Sequence, residues 1–183
     1  MATAEPLTVR RARTEDADTL GALGGRAWRA TYPGIVPESV LDEWIARAPA
    51  GWREAFASQG TDSPWRAWVA EREGRILGYA TTTVAKSEWL APPEGAGELT
   101  NLYLEPDAIG TGAGRALYQH AVEDLRTRGF DPLVVWAFRD NERARRFYER
   151  MGLVIDVPEH DWVLGGVPCP IVRFVGSLAA SGR

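Results

Sequence analysis

The residues whose types and spacing best suit chemistry in this sequence are three glycines, Gly110, Gly112 and Gly114. They follow a segment typical of a β-strand, residues 98–104, and precede one with helical periodicity, residues 115–128. Glycine lets backbone N–H groups approach a phosphate closely, and the N-terminus of a helix adds a favourable dipole. The spacing therefore predicts a cradle for a diphosphate, although a tight strand-to-helix turn would use the same residues.

Two common nucleotide-binding motifs do not fit this loop. A Rossmann site places Gly-x-Gly-x-x-Gly near the start of a βαβ unit and needs an acidic residue at the end of the next strand. Here the glycines lie late in the chain, and the following apolar run, residues 132–138, leads into Arg139. A P-loop would require Gly-Lys followed by Ser or Thr, which is missing after the glycines.

The remaining reactive side chains narrow the choice of function. Cys169 is the only cysteine, which excludes an internal disulfide, and no clear base lies near it in the sequence. His120 and His160 are too few and too scattered for a zinc site, so we expect no metal. The net charge of −4, with acidic and basic residues intermixed, gives no electrostatic basis for binding nucleic acid.

Nothing in the sequence indicates a membrane protein. No apolar run approaches the ~20 residues that cross a bilayer. The short polar stretch of residues 1–6 does not look like a signal peptide. We therefore expect a cytoplasmic protein that does not act at a membrane.

The glycine loop lies within a succession of predicted strands and helices. Thr14 predicts a helix N-cap, because acidic residues occupy the first turn after it. The predicted strands are residues 8–13, 65–73, 75–86, 98–104, 132–138, 153–156 and 167–175. The predicted helices are residues 14–29, 38–58, 115–128 and 141–150. This order predicts one α/β domain of the α+β kind over residues 1–183, with tails at residues 1–6 and 177–183.

The glycine segment resembles the pyrophosphate-binding motif of GNAT (Gcn5-related N-acetyltransferase) enzymes, which reads Gln/Arg-x-x-Gly-x-Gly/Ala. Gly112 and Gly114 match its two small positions, and Leu117 matches the apolar position just inside the helix. Ile109 departs from the motif, because the family carries a polar residue there. The departure removes a side-chain contact and leaves the backbone cradle, so we expect the coenzyme to bind.

A second segment adds to the resemblance. Residues 141–152 are similar to the family's Asn-x-x-Ala-x-x-Phe-Tyr-x-x-x-Gly-Phe segment, with matches at Asn141, Ala144, Phe147, Tyr148 and Gly152. Leu153 replaces the common aromatic residue, and residues 28–34 look like the end of the first helix in many bacterial members. The similarity covers almost the whole chain, and its two motifs occur in the family's order.

The resemblance implies a mixed, largely antiparallel sheet that is splayed at its centre and flanked by helices on both faces. It implies acetyl-CoA as cosubstrate, held by unpaired backbone groups of one strand and by the glycine loop. The residues implied to bind it are Leu102, Tyr103, Leu104, Ile109, Gly110, Thr111, Gly112, Ala113, Gly114, Arg115 and Asn141. An N-cap on the following helix is an alternative or additional role for Asn141.

The family reaction, direct attack of an amine on a thioester, needs a base, an acid and a donor for the developing oxyanion. By family position, Tyr148 is the acid that protonates the leaving thiolate, with a place in the helix core as the alternative. Trp136 stands where some members carry a glutamate, so we assign the base to Glu98. An ordinary strand-end carboxylate and a relayed water remain alternatives to that assignment. Trp28 and Tyr32 fall where the family's acceptor cleft lies.

The resemblance therefore predicts a transferase that acetylates a primary amine of an unidentified small molecule or peptide. Two alternatives stay open: a non-catalytic acyl-CoA-binding regulatory module on the same fold, and an acyltransferase that uses a longer acyl-CoA. The sequence identifies neither the amine nor the oligomeric state, and a homodimer is compatible with it.

Overall fold

The computed structural model describes residues 5–60, 63–86 and 90–179. Its strands are β1 (Thr8–Arg11), β2 (Arg66–Arg72), β3 (Arg75–Val84), β4 (Gly97–Leu104), β5 (Leu133–Phe138), β6 (Val154–Leu164) and β7 (Val167–Gly176). Its helices are α1 (Ala17–Thr31), α2 (Glu38–Ala57), α3 (Ala113–Thr127) and α4 (Glu142–Arg150). Short 3₁₀ helices at Thr14–Asp16 and Pro106–Ala108 precede α1 and α3. The order and type of the strands and longer helices are those predicted from the sequence.

The strands form a seven-stranded sheet in the order β1-β2-β3-β4-β5-β7-β6, in which only β4 and β5 are parallel neighbours. β4 pairs with β3 along its whole length. It pairs with β5 at two positions, Gly97 opposite Leu133 and Glu98 opposite Val134. The two parallel strands then diverge toward their carboxyl ends, which confirms the mixed, largely antiparallel sheet splayed at its centre.

Helices cover both faces of the sheet. Consecutive residues of a strand point to opposite faces, so neighbouring residues of β3 show which helix lies on which face. On β3, Tyr79 packs with Leu20 of α1, whereas the next residue, Ala80, belongs to the cluster that contains Leu117 of α3. Tyr148 of α4 belongs to that second cluster, and α2 packs on α1. The helices α1 and α2 therefore lie on one face, and α3 and α4 lie on the other.

Two local features differ from the sequence predictions. Thr14 begins a 3₁₀ helix and does not cap, because the carboxylate of Asp16 accepts the backbone N–H of Arg13 at 2.8 Å. An ion pair with Arg10, at 2.7 Å, holds this carboxylate in place. β6 continues to Leu164, well past the predicted strand, because its antiparallel pairing with β7 resumes after two register shifts.

The close packing of α2 on α1 depends on Gly21. A Cβ at this position would lie 2.6 Å from the Cα of Pro49 in α2, so a larger residue would push the helices apart. The close approach holds α2 near the sheet, where Trp44 stacks on Trp162 of β6 with ring centroids 5.7 Å apart. The helix thereby reaches across the open part of the sheet.

The C-terminal part of the described chain packs against the core. Leu178 is buried in the cluster on the α3 side, and its backbone N–H donates to the Asp131 carboxylate at 2.6 Å. This residue falls within residues 177–183, which the sequence assigns to a tail. Residues 1–4 and 180–183 of the two predicted tails lie outside the described residues.

Candidate active site

The divergence of β4 and β5 opens a cavity of about 1080 Å³ that is bordered by all four helices. It is lined by most of the predicted site residues, namely Trp28, Tyr32, Glu98, Leu102, Tyr103, Leu104, Ile109, Gly110, Gly112, Gly114, Arg115, Asn141 and Tyr148. Two predicted residues of the loop turn away from it. The Thr111 hydroxyl donates to the Ala108 carbonyl at 2.7 Å, and the Ala113 side chain is fully buried. The backbone N–H of Thr111 also donates to the Ala108 carbonyl, at 3.3 Å.

The N-terminus of α3 is open to an anion. Gly112 is its N-cap residue, with a φ of 93° that favours glycine. No side chain caps α3 and its first turn lacks an acidic residue, whereas the first turns of α1, α2 and α4 each contain one. The first N–H groups of a helix have no intrahelical partner and carry partial positive charge. An anion in the cavity would meet these groups beside Gly110, Gly112 and Gly114.

Two side chains flank this opening. Ile109, where the family motif has a polar residue, is 39% exposed and offers the cavity no hydrogen bond. Arg115, in the first turn of α3, lines the same part of the cavity and brings it a positive charge. An anion bound here would therefore meet mainly backbone groups, together with this guanidinium.

Asn141 has a defined structural role. Its Oδ1 accepts the backbone N–H of Ala144 at 3.1 Å, which caps α4. The cap uses the acceptor of this amide and leaves its Nδ2 as a donor at the cavity wall. The alternative role as an N-cap is thus confirmed, and a contact with the pantetheine arm is compatible with it.

Tyr148 combines a core ring with a place at the cavity. Its ring packs against Phe174 of β7, with centroids 5.5 Å apart. Burial raises the pKa of its phenol, and so do the nearby phenols of Tyr103 and Tyr118. The group therefore stays protonated at neutral pH, as a proton donor must. No described residue forms a hydrogen bond with this hydroxyl, so it is available to a ligand.

Glu98 lies at the closed end of the split, where β4 and β5 still pair. Burial raises the pKa of its carboxyl group to about 7, while the backbone N–H of Lys86 opposes the shift by donating to the carboxylate. A base whose pKa lies near the working pH accepts protons efficiently. This buried environment makes Glu98 different from an ordinary carboxylate at a strand end, which would be solvated.

Tyr32 and Tyr103 meet on the α1 side of the split. Their hydroxyls are hydrogen-bonded at 2.8 Å, and burial raises the pKa of both phenols. Trp28 packs edge-on against Tyr103, with ring centroids 5.9 Å apart. The sequence predicts a backbone role for Tyr103, and the structure adds its side chain to the side of the cavity predicted for the acceptor.

The cavity lining also includes aromatic residues that the sequence does not assign to the acceptor cleft, among them Trp44, Trp136, Phe138 and Trp162. Trp136, which stands where some family members carry a glutamate, packs near Val134 and also lines the cavity. Period-2 alternation along β5 places Trp136 and Phe138 on one face and could have linked them. Trp44 and Trp162 lie on separate elements, and no spacing in the sequence connects them.

Other kinds of site find little support in the described chain. Across residues 5–60, 63–86 and 90–179, no three His, Cys, Asp or Glu side chains are grouped so that they could hold a metal ion. No helix in the same ranges is long and apolar enough to cross a membrane. Cys169 is buried, which raises the pKa of its thiol, as expected for a packed cysteine.

Comparisons with known proteins agree with this geometry. The model of the acetyltransferase (GNAT) family matches residues 28–153. An uncharacterised N-acetyltransferase of Mycobacterium tuberculosis is 34% identical over 145 residues, which cover 77% of this chain and 85% of that protein. The uncharacterised N-acetyltransferase YuaI of Bacillus subtilis is 30% identical over 145 residues, covering 74% and 73% respectively. The PaiA N-acetyltransferase of Thermoplasma acidophilum, solved with coenzyme A, has a TM-score of 0.71 at 19% identity, covering 92% of this chain and 98% of that one.

Proposed function

Because this chain belongs to the GNAT acetyltransferase family and is an acetyltransferase, we propose that it transfers the acetyl group of acetyl-CoA to a primary amine by direct attack. One observation carries the proposal: the open N-terminus of α3, Glu98 and Tyr148 border the same cavity. An anion site, a base and an acid around one space suit acyl transfer from a diphosphate-bearing thioester to an amine.

The part of the cavity beside α3 and β4, which we call the coenzyme half, fits acetyl-CoA. Backbone N–H groups of residues 110–114 would hold the diphosphate at the positive end of α3. Beyond Glu98, the edge of β4 that faces β5 forms no ladder. Backbone groups of Leu102, Tyr103 and Leu104 are therefore available to the pantetheine arm, together with Nδ2 of Asn141. The coenzyme A bound to the similar PaiA N-acetyltransferase supports this assignment.

Acetyl-CoA supplies an activated thioester, and the side chains of this chain manage the protons. At neutral pH the acceptor is an ammonium ion, which has no lone pair until it loses a proton. Glu98 takes this proton, directly or through a water, and its pKa of about 7 suits the task. Tyr148 then donates to the departing sulfur as the N–C bond forms and the C–S bond breaks. The net reaction converts an ammonium ion and a thioester into an amide, a thiol and a proton that is released to solvent.

The proposal is tested by titrating the protein with acetyl-CoA and then measuring thiol release with a panel of primary amines. We expect binding, together with amine-dependent release that rises as the pH increases through about 7. Propionyl-CoA and butyryl-CoA in the same assay define the acyl length. Binding of acetyl-CoA without transfer to any amine would favour the regulatory-module alternative.

We propose that residues 1–183 form one acyltransferase domain that acts in the cytoplasm on a small molecule or peptide. Light scattering of the purified protein would decide whether it is a homodimer.

A further inference from the structure

Five aromatic side chains form a continuous wall on the α1 and α2 side of the cavity. They are Trp28 of α1, Trp44 of α2, Trp162 of β6, Phe138 of β5 and Tyr32, which follows α1. In that order, the centroids of successive rings lie 5.8, 5.7, 5.8 and 5.1 Å apart. We call these five residues the aromatic arc.

The aromatic arc has a buried floor and partly open sides. Tyr32 and Phe138 are 6% and 7% exposed and form the floor. Trp28, Trp44 and Trp162 keep part of their surface exposed, and they line the cavity. Covering such surface with an apolar ligand stabilises a complex by ~25 cal/mol per Å². The arc therefore favours a ligand with an apolar, flat group.

A second aromatic cluster in the same molecule lies outside the cavity. Trp52 and Phe56 of α2 pack with Trp65, and Trp52 meets Tyr79 with ring centroids 4.9 Å apart. Tyr79 is 1% exposed, and none of these four residues lines the cavity. The two clusters share α2, and only the aromatic arc presents rings to the cavity.

Charged side chains of both signs line the cavity near the aromatic arc. Glu43, on an exposed part of α2, pairs with Arg47 at 3.3 Å. Arg143 keeps its positive charge, because the Thr31 hydroxyl to which it donates at 3.0 Å is a neutral group. Glu98 is the cavity carboxylate that forms no ion pair with any described residue. Among the described residues, the cavity thus offers one unpaired carboxylate to one cationic centre, and no second one for a polyamine.

β5 sets the distance between Glu98 and the aromatic arc. Glu98 lies opposite Val134, and Trp136 and Phe138 follow on the same face of the strand. Four residues of a strand span roughly 13 Å at ~3.3 Å each. The Glu98 side chain, its hydrogen bond to the ammonium and the packed ring each cover part of this distance, so a spacer of a few carbons can join a cation at Glu98 to a ring on the aromatic arc.

From these features we propose that the acceptor is an arylalkylamine, a primary amine joined by a short alkyl chain to an aromatic ring. The ring packs on the aromatic arc, and the ammonium group faces Glu98; indole faces also attract the cation. The inference rests on the proposed acetyl transfer. The amine nitrogen gives one proton to Glu98 and forms the N–C bond as the C–S bond breaks. Tyr148 protonates the sulfur, and the second proton that the nitrogen loses restores its phenol.

The first test compares acceptors of equal charge. We expect kcat/KM for 2-phenylethylamine and 4-phenylbutylamine to exceed that for hexylamine by about ten-fold, mainly through KM, because the ring makes aromatic contacts with the arc that an alkyl chain lacks. Spermidine and phenylalanine should be poorer still, since spermidine adds cations without a further unpaired carboxylate to meet them and phenylalanine places a carboxylate beside Glu98. Equal values for hexylamine, or higher values for spermidine or phenylalanine, would overturn the arylalkylamine assignment.

A matched pair of variants on α2 locates the effect. Trp44→Leu should raise KM for 2-phenylethylamine several-fold, and Trp44→Phe should restore much of the loss. Trp52→Leu removes the same side chain from the second aromatic cluster, which lies outside the cavity, and should leave KM unchanged in the folded protein. An equal KM in the Trp44 and Trp52 variants would remove the arc from acceptor binding.

Binding measured without turnover separates this inference from the proposed function. Calorimetry on the protein saturated with coenzyme A should show tighter binding of 2-phenylethylamine than of hexylamine, and Trp44→Leu should abolish the difference. Transfer to alkylamines or spermidine without this preference contradicts the arylalkylamine and keeps the proposed function. Preferential binding without transfer to any amine supports the arc as a binding site and contradicts the proposed function.

Discussion

The two halves of the cavity are built differently. The coenzyme half consists mainly of backbone, in the unpaired edge of β4 and the open start of α3 at Gly112. The acceptor half, which contains the aromatic arc, consists of side chains on α1, α2, β5 and β6. Its residues lie as far apart in the sequence as Trp28 and Trp162.

This difference determines what each half demands of the sequence. A backbone cradle needs particular residues in one short segment, because only glycine readily adopts the φ found at Gly112. A wall of rings needs only apolar groups of suitable size, which several elements can supply. Substitutions in the acceptor half can therefore change the amine while leaving the coenzyme site in place.

The largest effect should come from a charge placed in the coenzyme half. Gly112→Glu puts a carboxylate beside the predicted diphosphate, and two like charges ~4 Å apart repel by about 4 kcal/mol at an effective dielectric of 20. We expect acetyl-CoA affinity to fall by at least about 100-fold in calorimetry. Binding of 2-phenylethylamine to the free protein should change much less, because the aromatic arc is untouched.

Gly129→Glu is the matched control for the backbone strain. Gly129 follows the other end of α3, has a φ of 83°, and is outside the cavity lining. A non-glycine residue at such a φ costs ~1–2 kcal/mol of stability at either site. Equal loss of acetyl-CoA affinity in both variants would show that strain, and not charge at the cradle, is responsible.

The next effect concerns Tyr148, which lies between the two halves. Tyr148→Phe keeps the ring that packs on Phe174 and removes only the hydroxyl. If that hydroxyl protonates the sulfur, kcat should fall by about 10- to 100-fold while acetyl-CoA affinity stays near that of the wild type.

Tyr118→Phe controls for the loss of a buried phenol. Tyr118 of α3 also has a raised pKa, to about 12, but it does not line the cavity. Its variant should keep the wild-type kcat. An unchanged kcat in Tyr148→Phe would refute the acid role, and a parallel loss of coenzyme affinity would instead make Tyr148 part of the coenzyme half.

The same division explains how far the sequence could be interpreted. Gly112 and Asn141 could be identified from the sequence, because each shapes the backbone next to it and belongs to a short motif. The splay of the sheet followed from the family resemblance. The pairing of Trp44 with Trp162 could not be predicted from the sequence, because their stacking depends on how α2 crosses the sheet. That crossing in turn depends on the fit of Gly21 against Pro49, which lies outside any motif.

Glu98 of β4 tests whether a carboxylate that faces the acceptor adds chemistry to the shape of the acceptor half. In the wild type, kcat/KM should rise as the pH increases through about 7, because the carboxyl group must lose its proton to act as a base. Glu98→Gln should lower the rate about ten-fold at pH 7 and less at pH 9, where more of the amine is already neutral. Glu43→Gln, a change at an exposed glutamate of the cavity rim, should keep the wild-type profile.

The same substitution should affect stability in the opposite direction. The folded pKa of Glu98, about 7, exceeds its ordinary value of 4.5, so the native state binds more protons between these pH values. The free energy of unfolding therefore falls as the pH rises through this window. Glu98→Gln should stabilise the protein by on the order of 1–2 kcal/mol at pH 8 and by little at pH 4. Thermal unfolding at the two pH values measures the difference, and equal shifts would contradict the raised pKa.

The smallest effect examines Asn141, a side-chain contribution to the coenzyme half. Asn141→Ser keeps an oxygen that can cap α4 and removes the amide donor, so stability should change by less than about 0.5 kcal/mol. Acetyl-CoA should bind about two- to ten-fold more weakly, the value of one net hydrogen bond of ~0.5–1.5 kcal/mol. Asn141→Ala should show the same loss of affinity and a further ~1 kcal/mol loss of stability, because the cap is gone. If the serine variant binds acetyl-CoA as tightly as the wild type, Asn141 acts only as a cap. The contrast between a coenzyme half of backbone and an acceptor half of side chains would then be sharper than we propose.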